Sequence, residues 1–192
     1  MTDIKLIIIT PCSRPHNLNK LYNSIQFDKI ALWCIIYDTR QIPFIKYFND
    51  NPKIIEFECK DEGTFGHQIR NMALNIITEG FIYFLDDDNI MHPFFWNLFD
   101  NFKYGNLYTF NLLYQTGQIL YGNDPIPKKI DTSQYVFDRK LVDNIRFDIN
   151  AYCADGIFIN TIYENNKSNS FHFNYIAAYY NWLNKEQPLP LN

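Results

Sequence analysis

A chain of 192 residues with 47% hydrophobic and 20% charged side chains has the composition of one globular domain, which excludes a disordered tail or a fibrous repeat. The formal net charge of −4 excludes the broad basic face that nucleic-acid binding needs, so an anionic ligand would require local cations or a metal. No stretch approaches the roughly 18–20 apolar residues of a membrane span.

The start, "MTDIKLIIIT", is too short an apolar run for a signal peptide and reads as a strand. Cys12, Cys34, Cys59 and Cys153 lie far apart without a CxxC pair. That pattern fits reduced thiols in a cytoplasmic setting better than a structural zinc site. The aromatic share of 18%, with abundant Asn, Ile and Lys, points to AT-rich coding DNA of a bacterium or a large DNA virus. If viral, the host cytoplasm is the expected location. This remark concerns the genome and not function.

"KLIIIT" (Lys5 to Thr10) is β-branched and apolar throughout, the pattern of a strand buried on both faces. Pro11 stops it, "CSRPHN" is a loop, and Leu18, Leu21, Tyr22 and Ile25 space as a helix with Asn17 as its N-cap. "ALWCIIY" (Ala31 to Tyr37) predicts a second buried strand ending at Asp38. A short helix is expected around Pro43 to Phe48, and a third strand over Lys53 to Cys59. "DEGTFG" (Asp61 to Gly66) opens a helix from His67 to about Thr78, and "FIYFL" (Phe81 to Leu85) is a fourth strand running into Asp86, Asp87 and Asp88.

The second half changes character. Asn106 to Gly122 predicts strand, turn, strand, "DPIPKK" is a loop, and "YVFDRKLVDNIRF" is mixed. Asp155 to Asn166 predicts a helix, and Ser170 to Trp182 an aromatic tail that is part strand. Strands alternating with helices predict an α/β fold with a mostly parallel sheet flanked by helices. One domain over 1–192 is expected, with 1–100 and 101–192 as its two halves.

In an open parallel sheet, ligands bind beyond the C-terminal strand ends. The topology therefore gathers Thr10, Ser13 and Arg14, then Asp38 and Arg40, then Asp61 and Glu62, then the three aspartates. Adjacent carboxylates repel one another, and a cluster at a strand end typically binds a hard divalent cation, Mg²⁺ or Mn²⁺, which can bridge to a diphosphate. The plainer alternative is one aspartate capping the next helix while the others are solvated.

"IITPCSRP", Asp38, "GHQIRNMAL" and "IYFLDDDN", in this order and spacing, resemble the nucleotide-sugar half of GT-A fold glycosyltransferases. They are similar to the inverting glucuronyltransferases, with their DXD-type aspartate triplet, to the family-2 enzymes and to small viral relatives. The resemblance covers roughly the first hundred residues. It implies a Rossmann-like GT-A domain that moves a sugar from a nucleotide-sugar donor, UDP-linked by preference, to the hydroxyl of a glycan or other acceptor. It also implies the residue roles: Thr10, Pro11 and Arg14 line the nucleotide pocket, and Asp38 accepts from the base. Arg70 approaches the sugar or diphosphate, Asp86 and Asp87 orient the donor, and Asp88 ligates Mn²⁺ or Mg²⁺.

Inverting transfer needs a carboxylate to take the acceptor proton, and Asp155 in "AYCADGIF" stands where related enzymes carry theirs. The glucuronyltransferases use Glu there. The resemblance further implies that His172, in "SFHFN", which follows the base as a histidine often does in GT-A enzymes, is a second metal ligand or a phosphate hydrogen-bond donor. Tyr114, Tyr121, Trp96 and Trp182 are candidates for stacking on sugar faces.

Each role has a structural alternative. Arg14 also suits the surface of a Pro-bounded loop, Asp38 a turn, and Arg70 a pairing with Asp61 or Glu62. His67 suits a helix start, Asp155 an N-cap, and His172 an aromatic core. Cys12 and Ser13 lack a paired base, so no nucleophilic triad is supported. Two other functions remain open: a sugar-phosphate nucleotidyltransferase, disfavoured because "TPCSRPHN" carries no glycine, and a catalytically silent sugar- or nucleotide-binding module. The chain is short for a GT-A enzyme, so a further domain or a homo-oligomer is expected to complete the acceptor side.

Overall fold

The computed structural model describes residues 4–62 and 65–184. It opens with β1 (Leu6–Cys12), a 3-10 turn and α1 (Leu18–Ser24), followed by β2 (Ile30–Asp38) and β3 (Ile54–Cys59). Next come α2 (His67–Ile76), β4 (Phe81–Phe84), β5 (Ile90–Met91) and α3 (Phe95–Phe99). The second half contributes β6 (Leu107–Tyr114), β7 (Ile119–Leu120), β8 (Tyr135–Asp138), α4 (Ala154–Asn165) and β9 (Ser170–Tyr180).

One sheet runs through both halves in the order β3-β2-β1-β4-β8-β6-β9-β5, with β7 paired to β6. The four strands β3, β2, β1 and β4 are mutually parallel; β1, β2 and β4 are largely buried apolar runs, while the edge strand β3 is half exposed and carries Glu56 and Glu58. Strand β8 is antiparallel to both β4 and β6, and β9 runs parallel to β6. Two reversals restore direction, so β6 and β9 point the same way as β1, β2 and β4. Their C-terminal ends, together with the N-terminal end of β8, therefore meet along one edge.

Alternation along the strands builds two cores. Leu6 and Ile8 of β1 face Trp33, Tyr83, Phe95 and Trp96, under α1 and α3. Ile7 and Ile9 face the other way, onto Ile69 and Leu74 of α2 and Phe158 of α4. The expected α/β class holds, with its parallel character concentrated in the first half.

Local expectations fail where a side chain captures the backbone. The short helix expected at Pro43 to Phe48 is absent, because the Glu56 carboxylate accepts from the N–H groups of Tyr47 (2.7 Å) and Phe48 (2.9 Å). Asn17 precedes α1 but does not cap it; its amide instead donates to the Asp87 carbonyl at 3.0 Å. The aromatic tail is a full strand, 11 residues long.

Candidate active site

The edge where the strands end opens into a cleft of about 860 Å³. Four consecutive residues after β4 divide its construction among them. Asp87, 1% exposed, accepts from the backbone N–H of Ser13 and of Arg14 (both 2.6 Å) and from Arg14 Nε (2.8 Å) and Nη2 (2.6 Å). It thereby clamps the loop after β1 to the loop after β4. Asp86 accepts from Arg70 Nη2 and, at 3.3 Å, from the Thr132 hydroxyl. Asn89 ties the same turn to Ser133 (2.8 Å) and Asn181 (2.7 Å).

Asp88 completes the quartet. Its carboxylate is 2.9 Å from Arg14 Nη2, and burial, with Asp86 as the next cause, pushes its pKa up to about 6. Arg14 pulls the other way without cancelling the effect of burial.

Arg70, 3% exposed, projects from α2 and links the two halves. Besides Asp86 it donates to the Phe65 carbonyl (2.6 Å) and the Thr132 hydroxyl (3.3 Å), while its Nε has no partner among the described residues. The alternative pairing with Asp61 or Glu62 is not the one made. Asp38 ends β2 at 3% exposure and accepts from Arg40 N–H (3.0 Å) and Gln41 Nε2 (2.7 Å), so it orders its turn while lining the cleft. Pro11 also lines it.

Asp155 lines the cleft from the first turn of α4. The helix N-cap position is Cys153, and the Asp155 carboxylate accepts from the Gly156 N–H at 2.8 Å within the first turn. Burial raises its pKa first of all, and the Asp86 charge adds to this against the Gly156 N–H and Arg70. The helix start is seated on the loop before β8: a Cβ on Gly156 would lie 2.5 Å from Pro127 Cα.

Two expected site residues are elsewhere. Thr10 is fully buried and its hydroxyl accepts from Trp33 Nε1 at 2.9 Å. Side chains alternate along β1, and position 10 faces the sheet layer under α1 rather than the cleft. His172 lies near the start of β9, paired through Nδ1 with the Thr109 hydroxyl at 3.0 Å. Only the far end of that strand, at Tyr180, reaches the cleft; β9 is bulged, and β6 covers the same stretch from Thr109 to Tyr114 in five residues, roughly 17 Å. It does not join the aspartates. Among the aromatic candidates, Tyr114 lines the cleft, Trp96 is core at 1% exposure, Trp182 packs on Tyr179, and Tyr121 lines a different groove.

The structure adds Asp131, Phe65 and Tyr152 to the cleft, none of which the sequence reading singled out. Asp131 reaches the cleft through the N-terminal end of β8, where burial and then Asp86 and Asp155 raise its pKa. Its one sequence signal is structural: Asp131 and Gln134 form a capping box. Phe65, 66% exposed, and Tyr152, 77% exposed, meet edge-to-face at 5.3 Å on the cleft wall. His67 stacks on Phe147 at 5.7 Å, and burial, followed by Arg70, lowers its pKa to about 4, so the ring is neutral. Burial raises the pKa of Cys12, and the Ser13 hydroxyl donates to Asp87, which leaves neither as a nucleophile.

No three Asp, Glu, His or Cys side chains among the described residues form a preassembled metal cage. What the cleft offers is hard oxygen donors, Asp88 beside a partly open Asp86, facing Asp131 and Asp155 around a single buried arginine.

A parallel Rossmann-like half with charged residues at its strand ends, continued by a mixed half in one sheet, defines a GT-A-like fold. Solved structures agree. TarS 1–349 of S. aureus in complex with UDP-GlcNAc superposes with a TM-score of 0.68 at 15% identity, over 92% of this chain and 58% of that one. TarS 1–349 alone gives 0.65 at 13% identity, over 92% and 60%. The mannosyltransferase PcManGT from Pyrobaculum calidifontis, in complex with GDP-Man and Mn²⁺, gives 0.60 at 11% identity, over 91% and 56%. The chain thus spans less than two thirds of the length of these structures. No protein-family model matches the sequence, and no curated protein does. Among the described residues no helix is long and apolar enough to cross a membrane.

Proposed function

We propose that the protein is a metal-dependent glycosyltransferase that moves a sugar from a UDP-sugar to an acceptor hydroxyl with inversion. The observation that carries this reading is the opposition of Asp86 and Asp88 to Asp155 in one cleft, around the Arg70 guanidinium. The complexes of TarS with UDP-GlcNAc and of PcManGT with GDP-Man and Mn²⁺ support a nucleotide-sugar donor and a divalent ion.

The donor set fits such an ion. Mg²⁺ and Mn²⁺ suit carboxylate oxygen, and Mg²⁺ is usually held by one or two carboxylates plus substrate phosphates rather than by an all-protein cage. Asp88, with Asp86 beside it, would hold the cation, whose charge would neutralise the leaving diphosphate. Asp38 accepts from uracil N3–H with lone pairs left over from Gln41 and Arg40. Pro11 and Arg14 wall the nucleotide, and Asp87 keeps Arg14 in place.

Asp155 accepts the proton of the acceptor hydroxyl as its oxygen attacks the anomeric carbon and the bond to the diphosphate breaks. Its raised proton affinity suits a base. Residues 1–100 serve the donor and 101–192 the acceptor, and a further domain or a second copy completes the acceptor side. Four free cysteines support a reducing, cytoplasmic setting.

The test is a thermal-shift series with UDP-sugars, with and without Mn²⁺, on the wild type and Asp155→Asn. Stabilisation by UDP-sugar that depends on Mn²⁺, retained by the variant while transfer is lost, is expected. Absence of any shift with metal, or transfer that survives Asp155→Asn, overturns the reading.

A further inference from the structure

A second groove, of about 390 Å³, lies beyond β7 from the cleft: Leu120 lines the cleft, while Ile119 and Tyr121 line the groove. Its remaining walls are His92, Phe94, Asn111, Asn174, Tyr175 and Ile176, with no Asp, Glu, Lys or Arg among them. Tyr121 is 57% exposed and Tyr175 49%, and Tyr175 lies against Phe94 with ring centres 4.7 Å apart.

The polar atoms here are fixed by logic that begins at a glycine. A Cβ on Gly122 would come within 1.9 Å of the Phe110 carbonyl oxygen, so only glycine fits. Its N–H, which can only donate, is 3.1 Å from Asn111 and therefore identifies the Asn111 atom facing it as Oδ1. Asn111 Nδ2 must then face Asn174, at 2.9 Å, and the Asn174 atom that receives it is the oxygen. The Asn174 NH₂ group keeps its donors, with no partner for them among the described residues.

His92 follows the same reasoning. Its Nδ1 accepts from the Phe94 N–H at 3.2 Å, which puts the ring proton on Nε2, and burial lowers its pKa.

We propose that this groove is a binding site for neutral sugar residues of an oligosaccharide. Fixed amide and imidazole donors answer sugar hydroxyls, and exposed tyrosine faces pack against the apolar faces of pyranose rings. The lining offers no Lys or Arg to pair with a phosphate and no carboxylate to hold a metal, whereas its neutral donors and rings match sugar chemistry. The groove is built from other residues than the cleft and does not depend on the transferase reading.

The experiment is a heteronuclear NMR titration of the full chain with neutral cello-, malto-, manno- and chito-oligosaccharides, without nucleotide or metal. At least one series is expected to shift the Asn174 side-chain amide and the Tyr121 and Tyr175 signals. Tyr175→Ala should weaken that binding about tenfold, Tyr175→Phe should preserve it, and Asp155→Asn should leave it unchanged. The proposal is overturned if none of the series moves these signals, or if shifts occur only around Asp155. It is equally overturned if Tyr121→Ala dissociates a dimer without altering oligosaccharide binding, since the face would then join two copies.

Discussion

The cleft at the strand ends and the groove beside the middle of β9 are built by different means. In the first, buried charges hold one another: Asp87 on the loop after β1, Asp86 on Arg70, and Asp38 on its own turn, with Asp87, Arg70 and Asp38 all under 4% exposed. The second is set by shape and amide geometry, with exposed rings and no ions. Buried charge is tolerated only when paired, which is why the cleft's carboxylates and arginines are held by one another. The groove, without such charges, is held by packing and amide hydrogen bonds instead.

The sharpest way to break the charged cleft is Arg70→Met. It leaves Asp86 beside Asp131 without their shared cation, and a loss of about 3–5 kcal/mol in urea unfolding is expected. Arg70→Lys should not restore it, since a point charge cannot reach Asp86, Thr132 and the Phe65 carbonyl together. A loss under about 1 kcal/mol would show that the charges do not depend on one another.

The neutral groove breaks by shape. Gly122→Ala forces a methyl onto the Phe110 carbonyl, with an expected cost of about 3 kcal/mol and displacement of the Asn174 amide signal. Were the variant as stable as wild type, the steric account of the groove would be wrong.

A smaller effect separates cleft from groove by pH. His67 has its pKa lowered from 6.5 to about 4, so the folded state binds the proton less readily than the unfolded one. Its contribution is complete above pH 6.5 and is lost as pH falls through 4. By pH 4.5 the wild type should lose about 2 kcal/mol that His67→Phe, which keeps a ring on Phe147, does not. Equal acid sensitivity of the two proteins in paired denaturation curves would remove His67 as the cause.

The smallest effect is a null one. His172→Ala, far along β9 from the aspartates, should change stability by less than about 0.5 kcal/mol and leave Mn²⁺-dependent UDP binding as it was. A clear loss of that binding would return the histidine to the site.

Strand after strand of the first half was legible, because runs such as "KLIIIT" and "FIYFL" can only be satisfied between two apolar layers. Given parallel strands, the gathering of Arg14, Asp38 and the aspartates at one edge followed. Thr10 was misplaced because Pro11, Ser13 and Arg14 line the cleft while its own side chain, like that of Cys12, alternates away into the core around Trp33. The Pro43–Phe48 segment escaped because the captor of its N–H groups, Glu56, sits on a later strand.

The sequence by itself determined the α/β class, the parallel first half and the meeting of its polar strand ends, since buriability and chain direction are local properties. Only the tertiary structure decided the second half. There β8 reverses and delivers its first residues to the edge, which is how Asp131 arrives beside Asp86 and Asp155. It also decided the separate tasks of Asp86, Asp87 and Asp88, because three identical neighbours differ only in which distant partner holds each one.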